Sequence, residues 1–312
     1  MNLRIVVVVA TLVFVIIQCI VVVKVPIESD VTAITIAITV CGGNNTFHSA
    51  VHALTSYLFY RVARLHIIIL TDRLEFARGF FAVQWPDVNI TVIDVLAVLP
   101  AACCPYLNLF KRCATARLFL SLLLPLYVDA VLYIDVNTFA FYDYRRVWAQ
   151  FQLFDGEQAM ALAFDGDSRS YYEDYVDDAF QWYRPFGLNA AVMLINVTRL
   201  RQWPGDWINT IITIAMTHMR IPEFKLVDQD ILNIFFVQYS SLLYVMPLGY
   251  NYQVYGDGRP QYANGLTILH VEGGTAALYV LFSRIRTGEK RLDLGLIAIE
   301  LSRMRSNDAQ IS

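Results

Sequence analysis

The chain has 312 residues, 57% of them hydrophobic and 16% charged, with a formal net charge of −3. That balance excludes a disordered polar chain. The richest basic cluster (Arg284, Arg286, Lys290, Arg291) is short and broken by Glu289, so no nucleic-acid partner is expected. Five cysteines without a CxxC pair are too few for a disulfide scaffold, and their connectivity is not readable from spacing.

Residues 5–23, IVVVVATLVFVIIQCIVVV, carry only Thr11 and Gln18 as markedly polar positions. A run of about 20 apolar residues spans the hydrocarbon of a bilayer. No small-x-small cleavage site follows, so an uncleaved anchor is favoured over a cleaved signal. The expected organisation is a short cytoplasmic tail (1–4), a transmembrane signal-anchor (5–23), a short stem (24–33) and a lumenal domain (34–312). Positive charge is nearly balanced across the anchor, which leaves orientation weakly marked. Asn44, Asn89 and Asn196 begin Asn-x-Thr sequons, which agrees with a lumenal domain.

Beyond the anchor, strand and helix patterns alternate. TAITIAITV (32–40) reads as a first strand, CGGNNTF as a loop and SAVHALTSYLFYR as a helix. LHIIIL (65–70) is a second strand ending at Thr71 and Asp72, FARGFFAVQW is amphipathic, and NITVIDV (89–95) is a third strand. CATARLFLSLLLPLYVDA reads as a helix interrupted near Pro125, followed by a strand in AVLYIDVN. Residues 164–186 are polar and aromatic, and read as scaffold rather than a sugar platform, with Trp182 or Tyr183 as the alternative contacts to an acceptor. AAVMLINV (190–197) is a strand, a helix begins near Asp228, and LLYVMPLGYNY and LTILHV close the apolar pattern before a helix-like C-terminal segment. This alternation predicts an α/β domain with a mostly parallel central sheet covered by helices. In such sheets a ligand site lies beyond the carboxyl ends of the strands.

The strand in VLYIDVNTF ends on Asp135, with Asn137 two places on. In extended geometry the two side chains share a face and offer oxygens to one hard divalent cation, Mg²⁺ or Mn²⁺. An Asx turn closing the strand explains the same residues, and on pattern alone it is the better reading.

The ordered set CGGN, ILTD, FAVQWP, LFKRCATARLFL, LYIDVN, FGLNAAVMLINVTRLR, VDQDILNI, LYVMPLGYNY and ILHVEGG resembles the retaining glycosyltransferase family that includes glycogenin and the bacterial galactosyltransferases, and within it the glucoside xylosyltransferases. The resemblance implies a nucleotide-diphospho-sugar transferase (GT-A-like) fold and a type II protein of the endoplasmic reticulum or Golgi membrane. It implies Asp135, Asn137 and His270 as ligands of Mn²⁺ or Mg²⁺, with Val136 between the first two at the cofactor. Cys41, Gly42, Gly43, Asn44 and Asn45 fall where uridine and ribose are held, with Asp72 close by. Arg117 falls on a basic residue that reaches the donor, Asn189 on a contact to the donor sugar, and Asp228 and Gln229 on a pair lining the reaction centre. The implied reaction is transfer with retention from a UDP-sugar, xylose first, to O-linked glucose on an EGF-like repeat. No covalent nucleophile is assigned.

Each of these residues has a plainer reading. Arg117 could be a helix-surface charge, His270 a strand cap, Asp228 a helix N-terminal residue and Asn189 a turn residue. The chain also departs from the family pattern: Asn137 replaces an aspartate, Ala190-Ala191 a Ser-Gly pair, and VEGGTAA after His270 lacks the expected cation and carries Glu272. A weak or inactive binding relative, or a transferase using UDP-glucose or UDP-galactose, stands as the alternative.

Overall fold

A computed structural model describes residues 33–60, 64–101, 113–165, 181–218, 228–254 and 267–271. The expected anchor at 5–23, the stretch 166–180, Glu272 and the C-terminal helix-like segment lie outside the described residues. The chain divides into Met1–Asp30 and Val31–Ser312, and every described residue belongs to the second unit. Among the described residues no helix is long and apolar enough to cross a membrane.

The β-branched runs form the strands the alternation predicts. β1 (Ala33–Thr39), β2 (Arg64–Thr71) and β3 (Asn89–Asp94) lie parallel, and β4 (Ala130–Ile134) pairs parallel to the other side of β1. β6 (Met160–Phe164), β7 (Leu188–Asn196) and β8 (Leu243–Met246) complete a seven-stranded sheet in the order β3-β2-β1-β4-β7-β6-β8. Only β7 runs against the rest, since it is antiparallel to both β4 and β6. A second, three-stranded sheet joins β5 (Thr138–Ala140), β10 (Ile268–Val271) and β9 (Tyr252–Val254). The small sheet and β6 are absent from the sequence reading. The helix there begins at Ser49, whereas α1 spans Asn44–Leu58 and so takes in Asn44 and Asn45.

Period-two alternation divides the core into two layers. Ile34, Ile36 and Ile38 of β1, with Leu132 and Ile134 of β4, pack against Phe47, Leu54 and Tyr57 of α1 and Phe81 of α2 (Leu74–Gln84). Ala37 and Tyr133 point the other way, among Leu118, Phe119, Trp207 of α3 (Trp207–His218) and Phe235 of α4 (Asp228–Gln238). Helices therefore cover both faces of the sheet, as its near-continuous apolar strands require. Trp182 is buried in the second layer, which makes it scaffold.

The chain steps outward from β1 to β2 to β3, then returns to β4 on the far side of β1. That reversal opens a crevice at the carboxyl ends of β1 and β4, where open α/β sheets bind ligands.

Candidate functional site

Asp135 follows β4 directly, at this crevice. The next residues do not stay extended. The Thr138 amide donates to the Asp135 carbonyl (3.2 Å), so Val136 and Asn137 form a turn that reverses the chain into β5. The extended geometry that would set both side chains on one strand face is not adopted; the chain turns, as the plainer reading of these residues expects, and the antiparallel pairing of β5 with β10 then brings Asn137 to His270. Thr138 lies opposite His270 in the small sheet, and Asn137 Nδ2 sits 3.1 Å from His270 Nε2.

Asn137 Oδ1 and His270 Nδ1 are buried and have no hydrogen-bond partner among the described residues. Buried polar atoms of this kind call for an explanation. The two ends of an amide exchange places in a half-turn, which would set Oδ1 where Nδ2 stands. Adjacent ligands of an octahedral ion, at bond lengths of about 2.1 Å, are about 3 Å apart, which the Asn137–His270 spacing meets. Burial lowers the His270 pKa to about 4, opposed by Asp135 and assisted by Arg117, so the imidazole is neutral and able to ligate. A carboxylate, an amide oxygen and an imidazole form a mixed set that suits Mn²⁺, with one formal charge fewer than two carboxylates would give.

Arg117 enters from the opposite layer, on a 3₁₀ turn (Ala114–Phe119) continued by a short helix (Leu120–Leu123). Trp207 Nε1 donates to the Leu118 carbonyl at 2.7 Å, and Arg201 donates to the carbonyls of Ser121 (2.9 Å) and Leu124 (2.6 Å). These donors satisfy carbonyls near the end of the helical segment. The Arg117 guanidinium is turned inward: Nη2 meets Asp135 Oδ1 at 2.8 Å, Nη1 meets Asp135 Oδ2 at 3.1 Å, and Nε meets Asp228 Oδ2 at 2.9 Å. Nη1 also donates to the Ala190 carbonyl at 2.8 Å. Burial alone would lower the Arg117 pKa, but Asp135 and then Asp228 outweigh it and raise it. Arg117 is therefore a buried tie between two carboxylates rather than a helix-surface charge.

Asp228 opens α4, where its carboxylate also accepts backbone N–H bonds from residues 228 and 229. Burial, opposed by Arg117 and reinforced by Asp135, raises its pKa to about 6. Gln229 Nε2 donates to Asp165 Oδ2 (2.7 Å), and its Oε1 accepts from the Ala190 amide (3.3 Å). Asn189 is buried, and its Oδ1 accepts from Asn251 Nδ2 (2.8 Å) and the Ala191 amide (3.0 Å). Asn233, which sequence reading missed, clamps Leu188 by accepting from its amide (2.8 Å) and donating to its carbonyl (3.0 Å). α4 is thereby fixed to the beginning of β7.

The loop after β1 forms a second group. Gly42 adopts φ +85°, a conformation that penalises any side chain, and its amide donates to Asp72 Oδ1 at 3.1 Å. Arg73, also missed, donates to the Gly42 carbonyl (3.1 Å) and Asn44 Oδ1 (3.2 Å) and lies over Phe76. Gly43, Asn44 and Asn45 are exposed at the start of α1. Cys41 is buried and disulfide-bonded to Cys113, four residues before Arg117. Their sulfurs and an Asp72 carboxylate oxygen lie within 4.8 Å of one another. Reduced, the trio would offer two thiolates to a divalent ion; as the disulfide it keeps only the carboxylate, so this cluster is a covalent tie.

A comparison with models of known protein families finds no match. Chicken glucoside xylosyltransferase 1 is 28% identical over 264 residues, covering 77% of this chain and 58% of that protein. The chain thus spans little more than half the length of that curated relative. Among solved structures, mouse xyloside xylosyltransferase 1 in its apo form superposes with a TM-score of 0.59 at 16% identity, covering 76% of this chain and 97% of that one. A galactosyltransferase, LgtC, in complex with donor and acceptor sugar analogs gives 0.55 at 17%, covering 83% and 97%. The fold is GT-A-like, and the chain resembles glucoside and xyloside xylosyltransferases at low identity.

Proposed function

We propose that the protein is a membrane-anchored, retaining glycosyltransferase of the endoplasmic reticulum or Golgi. It moves a sugar, xylose first, from a UDP-sugar to an O-linked glucose on a protein acceptor such as an EGF-like repeat. One observation carries this reading: the turn Asp135–Asn137 meets His270 at the β1/β4 crevice of a GT-A-like sheet, with Asn137 Oδ1 buried and without a hydrogen-bond partner among the described residues. The names of the relatives support the donor and acceptor classes. The disulfide supports an oxidising compartment.

Asp135, Asn137 and His270 would hold the divalent ion, which when bound neutralises a diphosphate and eases its departure. The chain does the rest. Arg117 holds Asp135 and Asp228 in fixed orientation, so its charge reaches the departing phosphates through space. Asp228 and Gln229, locked to the start of β7, line the side where the acceptor hydroxyl approaches. The loop from Cys41 to Asn45, with Asp72 and Arg73, takes the nucleoside.

Asn137, the hydroxyl lost at Ala190 and the methyl added at Ala191 favour a second reading, a slow enzyme or a binding relative. A donor screen separates the two. The detergent-solubilised chain with Mn²⁺ is offered UDP-xylose, UDP-glucose and UDP-galactose, and UDP release is measured with and without a glucosylated acceptor. Acceptor-stimulated release from UDP-xylose is expected. Binding of the acceptor without release from any donor would establish the second reading, and absence of both would overturn the proposal.

A further inference from the structure

Tyr133 is fully buried, two residues before Asp135 on the same face of β4. Its hydroxyl is 3.2 Å from Asp135 Oδ1 and 3.2 Å from Thr39 Oγ1, and its ring lies 5.1 Å from the guanidinium carbon of Arg117. Tyr133 is the donor in both contacts, and its single proton favours the carboxylate oxygen of Asp135 over the neutral hydroxyl oxygen of Thr39. The phenol is thereby set between the end of β1 and the end of β4, with Thr39 as the competing acceptor.

A carboxylate has about four acceptor sites, two on each oxygen. Here Oδ1 takes Tyr133 and Arg117 Nη2, while Oδ2 takes Arg117 Nη1. One site remains, on Oδ2. We infer that Tyr133 is a positioning residue that, with Arg117, saturates Asp135 Oδ1 and leaves Oδ2 as the single atom that can ligate a divalent ion. This rests on the metal-assisted reading above, and it assigns to Tyr133 a role that no ligand pattern names. Groups that hydrogen-bond a ligating carboxylate fix its orientation, and their loss typically weakens metal binding by about 10- to 100-fold.

The test is a titration of Mn²⁺ into the detergent-solubilised full chain in saturating UDP, with free Mn²⁺ read by electron paramagnetic resonance. Tyr133→Phe keeps the ring over Arg117 and removes only the hydroxyl. It is expected to raise the Mn²⁺ dissociation constant about tenfold or more, to raise the donor KM while leaving kcat at saturating Mn²⁺, and to lower the thermal midpoint by only about 2–4 °C, the loss of one buried hydrogen bond. Thr39→Val removes the competing acceptor and commits the phenol proton to Asp135, so it should hold Mn²⁺ as tightly as the wild type or up to about twofold tighter; should the phenylalanine variant fail to fold, weaker binding here overturns the positioning role. If the wild type holds Mn²⁺ and Tyr133→Phe holds it equally well or better, the positioning role is overturned while the proposed function stands. If the wild type holds no Mn²⁺, both fall.

Discussion

Replacing Arg117 by methionine keeps most of the side-chain volume and removes the one cation shared by Asp135 and Asp228. Stranding buried carboxylates in this way costs about 3–5 kcal/mol near neutral pH. The cost has a pH signature. Asp228 has its pKa raised from 3.8 to about 6, by burial first, then by Asp135 against the pull of Arg117. A carboxyl raised in this way binds more protons folded than unfolded, so its contribution falls as pH climbs from the unfolded value to the folded one, by about 1.4 kcal/mol per unit and about 3 kcal/mol in all. Without Arg117 the folded value rises further, and the loss continues above pH 6. The destabilisation should therefore be largest near about pH 8 and shrink towards about pH 5, where Asp228 is neutral in both proteins. Urea unfolding followed by the fluorescence of the buried Trp182 and Trp207 measures it. A difference that stays constant across that range, or stays under about 1 kcal/mol at its upper end, would refute the buried-tie account of Arg117.

Reducing the Cys41–Cys113 bridge, which closes a separation of 72 residues, should cost about 4 kcal/mol on chain-entropy grounds; an unchanged urea midpoint in dithiothreitol would contradict it. Asn137→Asp restores a charge beside His270 and should tighten Mn²⁺ about tenfold, near 1.4 kcal/mol, in the same resonance titration; equal or weaker binding would show that residue 137 does not face the ion. Asn233→Leu, which breaks the two-way bond to Leu188, should cost about 2–4 kcal/mol and loosen Asp228 and Gln229 together, seen as faster amide exchange at the start of α4. Protection unchanged there would place the anchoring of α4 elsewhere.

The larger strands were legible because buried parallel strands leave β-branched runs, as in AITIAIT and RLHIIILT. Asp135 stood out because a carboxylate at the end of such a run has no apolar role. β5 escaped notice because it is three residues long and pairs with β10, some 130 positions away; no local pattern encodes that partner. β6, five residues between polar stretches, is too short for periodicity to separate from a loop. The inward turn of Arg117 was equally hidden, since one arginine on an apolar helical stretch looks the same whether its head meets water or carboxylates. Tyr133 did carry a signal: two residues before Asp135 on a strand, it had to share its face. The Cys41–Cys113 pairing had none, because sulfur spacing fixes no partner.

β7 has a consequence for how variation in this chain is to be weighed. Because it is reversed, its opening residues arrive where its neighbours finish. The Leu188, Ala190 and Ala191 main chain meets Asn233, Gln229, Arg117 and Asp135 through amides and carbonyls alone. Every amino acid except proline carries those atoms. Substitution there can alter the room left for a sugar and yet preserve the whole scaffold of bonds, so the most heavily wired stretch of the crevice is the one whose letters are freest to drift.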